Sequence, residues 1–181
     1  MSMDEAIESA EPQLFNTPLE AGLRAVMIFD AFAPRAFDLA TLSILDYYAV
    51  HTGDIDAEDI QTDGRSVSEA DTPSIESLHP PLAARKGEYF VRRRLIEKGI
   101  TMMERAFLLD RVADADGISF RARDTAAAMV DLMESEYNAH LRSASRWLAL
   151  LADSLGEEAF FNRLADGVDR WSHEFDGEIL S

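Results

Sequence analysis

Prolines, glycines and capping residues divide this chain into helix-length apolar segments, and that punctuation limits the available folds more than any other feature. Thr17 followed by Pro18 and Glu20 is a helix start. The hydroxyl accepts an orphan amide, proline fits the first turn, and Glu20 supplies a capping-box carboxylate. Leu19, Leu23, Val26, Met27 and Phe32 then recur at helical spacing to about Ala33, and Pro34 stops the run. Asp38 caps a second helix whose apolar set of Leu39, Leu42, Ile44, Leu45 and Tyr48 extends to Val50 or His51, ahead of Gly53. A third, about Gly87 to Arg105, places Val91, Leu95, Ile96, Gly99, Ile100 and Met103 on one side, with Arg92, Arg93, Arg94 and Lys98 largely on the others. Phe107 to Ala113 and Ile118 to Ala122 alternate apolar and polar residues around Asp114, Ala115, Asp116 and Gly117, the pattern of a short antiparallel hairpin. Asp124 caps a fourth helix through Met133. A fifth, Tyr137 to Leu155, carries Leu141, Ala144, Trp147, Leu148 and Leu151 and closes at Gly156. A sixth runs from Glu157 to about Phe175 with Phe160, Phe161, Leu164, Val168, Trp171 and Phe175 on its apolar side.

Helix, helix, long helix, two-strand hairpin, helix is the order of a winged helix. The expected fold is therefore mainly α: a winged-helix-like domain with a short β-hairpin and a C-terminal helical extension. Residues 1–13 read as a flexible acidic arm, 14–135 as the winged-helix-like domain and 136–181 as a C-terminal helical hairpin. The connection between the second and third helices is far longer than the usual tight turn. Its residues 54–76 carry eight acidic side chains against Arg65 alone, too few large apolar groups to offset ordering entropy, and read as an acidic loop insertion.

Charge bounds the partners. Thirty-four acidic against seventeen basic residues leave −17 over 181 positions, a poor match to phosphate backbones or anionic lipid. The distribution is uneven: residues 85–123 hold ten basic and six acidic residues, a local +4 against −21 elsewhere. Within it, Arg92, Arg93, Arg94, Lys98, Arg121 and Arg123 are candidate contacts to a partner or to DNA. Pairing with the chain's own carboxylates or with a protein is favoured over DNA, because acidic loops within a Debye length repel phosphate. Trp147 and Trp171 suit core packing, and they are also candidate contacts to a partner helix. The acidic N-terminus, with Asp4, Glu5, Glu8 and Glu11, is unlike a signal or transit peptide, and no apolar run reaches membrane length. The expected location is the cytoplasm, with no membrane partner.

Catalytic patterns are missing. There is no Gly-rich phosphate loop, paired-histidine zinc helix or nucleophile elbow, and no cysteine. His51, His79, His140 and His173 are widely separated, and acidic pairs carry little information in so acidic a chain. No catalytic residue, metal site or cofactor is expected, and the chain does not read as an enzyme.

One ordered series of strings is recognisable. Phe15-Asn16-Thr17-Pro18-Leu19-Glu20-Ala21-Gly22-Leu23-Arg24, then Asp30, Phe37-Asp38-Leu39, Leu45-Asp46-Tyr47-Tyr48 and His51-Thr52-Gly53-Asp54 resemble the middle component, type 2, of ABC-three-component systems. The similarity resumes at Ser77-Leu78-His79-Pro80-Pro81-Leu82, continues through Gly87, Glu88, Val91, Arg92, Arg93, Leu95, Ile96 and Gly99, and ends near Tyr137 to Trp147. It departs at residues 55–75, where the family pattern has a much shorter link. Members of that family are accessory proteins encoded between an SMC-like or Rad50-like ABC ATPase and an effector, often a nuclease, as in Lamassu anti-phage systems. The resemblance implies a non-enzymatic adaptor that docks on the ATPase and restrains the effector, with DNA met only locally within the complex. The alternative reading is a free-standing winged-helix transcription regulator.

Overall fold

The computed structural model describes residues 17–55, 85–115 and 117–178, with side chains as far as Asp169 apart from those at 54, 85, 86 and 114. The acidic arm at 1–13 and nearly all of the acidic insertion at 54–76 lie outside the described residues. Among the described residues six α-helices and one hairpin follow in order: α1 (Pro18–Ala31), α2 (Leu39–Val50), α3 (Arg85–Arg105), β1 (Leu109–Asp114), β2 (Gly117–Ala122), α4 (Asp124–Asp131), α5 (Glu136–Leu155) and α6 (Glu157–Glu178), with a 3-10 turn, Thr52–Asp54, after α2. None of the helices described is long and apolar enough to cross a membrane.

Local chemistry sets the helix ends. Thr17 Oγ1 accepts from Glu20 N at 3.2 Å and Asp38 Oδ1 from Thr41 N at 2.7 Å, each satisfying an orphan amide of a first turn. The Thr17 backbone amide in turn bonds the Glu20 carboxylate, the reciprocal half of a capping box, while Glu20 Oε2 is buried without a hydrogen-bond partner. At α4 the cap position falls to Arg123, and Asp124, expected there, is the first helical residue, placing its charge at the positive end of the helix dipole. Ser135 caps α5 one residue earlier than the apolar spacing suggests.

α1 is the central element. Ala21, Gly22, Arg24, Ala25, Val26, Met27, Ile28 and Phe29 are all buried, so it is enclosed on every side rather than amphipathic. Leu19, expected in the apolar face, is instead half exposed, because it precedes the enclosed turns. α3, α5, α4 and α2 pack around it. α5 shares this core through Leu141, Trp147, Leu148 and Leu151, and α6 closes it with Phe160, Leu164 and Val168.

β1 and β2 pair antiparallel from Leu109 opposite Ala122 to Asp114 opposite Gly117. The hairpin is held to the helices by Phe37, in the α1–α2 connection: Phe37 N donates to Phe120 O at 2.9 Å and Phe120 N to Phe37 O at 2.8 Å. The Phe37 ring packs edge-on against Phe32 and Phe161, at 5.2 and 5.3 Å between centroids, joining the strand bridge to α1 and α6.

Candidate interaction surface

The six arginine and lysine candidates separate into two groups. Arg92 is only 3% exposed and faces inward. Its Nη1 donates to Asp46 Oδ2 at 3.0 Å and its Nε to Glu88 Oε1 at 2.8 Å. From α1, Arg24 Nε reaches Asp46 Oδ1 at 2.7 Å, and His51 Nε2 donates to Glu88 Oε1 at 3.0 Å. The chain Arg24–Asp46–Arg92–Glu88–His51 therefore links α1, α2 and α3 through charge-assisted bonds away from water. Burial pushes the Asp46 carboxyl up, but the two guanidiniums outweigh it and hold the group below its ordinary value. Glu88 is likewise raised by burial and then drawn down to about 2 by hydrogen bonds from His51 and Arg92 and by the Arg92 charge. Arg92 is thus a structural residue of the interior, and the placement of Val91 and Arg92 is the reverse of the sequence expectation: Val91 is 53% exposed. The buried carboxylate of Asp46 is what draws the arginine inward.

The remaining cations face solvent. Arg93, Arg94, Lys98 and Arg121 are exposed and make no ion pair with a described carboxylate. Arg123 is partly enclosed, its Nη2 2.6 Å from Asp110 Oδ1 and its guanidinium 5.3 Å over the Phe107 ring. Arg111 is paired with Glu104 through two bonds of 2.9 Å. Large apolar side chains lie among these charges: Phe90 and Met102 on α3, Phe107 after it and Ile118 on β2 are 40–64% exposed. Phe107 holds φ at 59°, where Leu108 N donates to Met103 O at 3.0 Å and closes the C-terminus of α3 in the manner usually given to glycine.

A shallow cleft of about 520 Å³ opens at the base of the hairpin, lined by Phe107, Asp110, Arg121, Arg123 and Thr125 together with Pro34. Its charges are mixed, so it offers no single-sign ligand site. Trp147, a candidate partner contact, is 3% exposed and belongs to the core. The side chain of Trp171 lies outside the described residues. Of the histidines, His51 is in the buried chain and His140 is half buried, while His79 and the His173 side chain lie outside the described residues. Among the described residues no three His, Asp or Glu side chains converge to hold a metal ion.

Sequence reasoning missed the buried ionic chain. Its signal was present: Asp46 is the one charge of an otherwise apolar α2 and Arg24 the one cation of α1, set among apolar residues, and a charge so placed needs a partner.

A family model described as ABC-three component (ABC-3C) system Middle Component 2 matches residues 14–174. Neither a curated protein nor a solved structure matches the chain.

Proposed function

Because the chain belongs to the ABC-three component system Middle Component 2 family, we propose that it is a non-enzymatic adaptor linking an SMC-like, Rad50-like ABC ATPase to an effector nuclease in a cytoplasmic anti-phage complex of the Lamassu kind. The observation that carries this reading is the mixed surface of α3 and the hairpin, where exposed cations alternate with exposed Phe90, Val91, Met102 and Ile118. Arginine, methionine and aromatic side chains of this kind are enriched where proteins meet.

We read the helices and hairpin as a winged-helix-like arrangement. The hairpin follows the long third helix, and the Phe37–Phe120 bridge adds a short third strand segment from between the first two helices. A wing that reads DNA needs cations near its tip. In sequence the two strands are joined through Asp114-Ala115-Asp116, which favours a wing used against protein over the free-standing regulator.

Affinity purification of the chain co-expressed with the other components of its system tests the proposal. The adaptor reading predicts stoichiometric recovery of larger partners and weak binding of the isolated chain to duplex DNA. Tight, steeply salt-dependent DNA binding by the chain alone, without recovery of partners, contradicts it.

A further inference from the structure

The outer side of α3 is specific about what can cover it. Arg94, Lys98 and Arg105 stand opposite the buried Arg92, Ile96 and Met103, spaced by four and seven residues along the helix. Phe90, Val91 and Met102 flank them, 47%, 53% and 40% exposed. At about 1.5 Å per residue, Val91 to Arg105 spans about 21 Å, close to four turns. The cations call for anions, and the apolar side chains call for a surface that excludes water. Duplex DNA meets only the first need. It also brings a charge for about every 1.7 Å of axis towards a chain of net charge −17. An acidic helix of a protein meets both needs, because its carboxylates are confined to one stripe and its apolar residues lie beside them.

Resting on the adaptor reading, the geometry points to the outer face of α3 as the docking site of an acidic amphipathic helix from a partner component. The partner's carboxylates lie on Arg94, Lys98 and Arg105, and its apolar side chains lie on Val91, Met102 and Phe90. The two arginine forks take carboxylates in bidentate fashion and fix the register, while Lys98 adds a point charge between them.

Carbodiimide coupling of the assembled complex joins an amine to a carboxylate only where the two touch, and peptide mass spectrometry then locates the partner of Lys98. The expected product joins Lys98 to an Asp or Glu on a helix of another component. The triple variant Arg94→Glu/Lys98→Glu/Arg105→Glu should bind that component at least about tenfold more weakly. Val91→Ser/Met102→Ser should weaken binding in the same direction, with thermal unfolding unchanged in both. An assembled complex with Lys98 uncoupled, or a triple variant that assembles with unchanged affinity, overturns the docking site and leaves the adaptor reading intact. Coupling of Lys98 to a second copy of this chain, or duplex DNA binding that the triple variant abolishes, also overturns it. A wild-type chain that assembles with no other component overturns both.

Discussion

Asp46 accepts from two guanidiniums at a place where neither ion has water to fall back on. Its side chain is 1% exposed, and Arg24 and Arg92 are nearly as enclosed. Such a set is costly to break: removing one charge leaves the others buried and uncompensated. Asp46→Asn should lower unfolding free energy by about 3–5 kcal/mol in urea titration. Neighbouring arginines separate sharply by the same logic. Arg92→Glu should prevent stable folding, whereas Arg94→Glu, two residues on and exposed, should stay within about 0.5 kcal/mol of wild type. A three-arginine reversal at 92–94 would therefore confuse loss of fold with loss of contact. The acid limit follows from Glu88 and Asp46. Glu88 falls from an ordinary value near 4.5 to about 2, so the unfolded chain takes up its proton first. The stability it contributes is complete above about pH 4.5 and is lost as pH falls towards 2. Asp46 has the same sign. Glu20 is raised by burial, and its cost when ionised is relieved on acidification, offsetting part of the loss. Chemical denaturation measured between pH 7 and pH 2.5 should show a net decline, and a flat profile would show that the buried chain does not matter to stability.

At the scale of elements, the tightest constraint is the crossing of α1 and α3. A methyl added at Gly99 would stand 2.5 Å from both Gly22 N and Pro18 O, backbone atoms that cannot swing aside. Alanine is the better helix former by about 1 kcal/mol, but overpacking against backbone outweighs that. Gly99→Ala should therefore destabilise by about 1–3 kcal/mol and move α3 away from α1, measurable as a lower thermal midpoint. The helices and the hairpin were legible in the sequence because caps, prolines and periodicity act locally. The facing of α3 was legible only in part. Ile96, Gly99, Ile100 and Met103 mark the inner side without help, but periodicity reads Val91 as buried and Arg92 as exposed, since it has no access to a carboxylate on another helix. The same blindness applies to α1: a helix buried on all sides shows no amphipathic contrast, and Leu19 at its margin looks like a core residue.

Over the whole molecule, charge is divided between an acidic majority and a basic stretch at 85–123. Folding narrows the basic stretch by withdrawing Arg92 into the interior and Arg111 and Arg123 into ion pairs, leaving Arg93, Arg94, Lys98 and Arg121 free of described carboxylate partners. The candidate surface was thus only half visible beforehand: its cations could be counted, but the exposed apolar residues on which the proposed protein-binding role rests depend on which way α3 turns. The proposed adaptor role predicts that this chain is the sole physical link between an ATPase and an effector of its system. The direct test is light scattering after gel filtration of those two proteins, mixed with and without this chain. A complex containing all three only when the chain is present is the predicted result, and an ATPase–effector complex of unchanged mass and affinity in its absence would contradict the account.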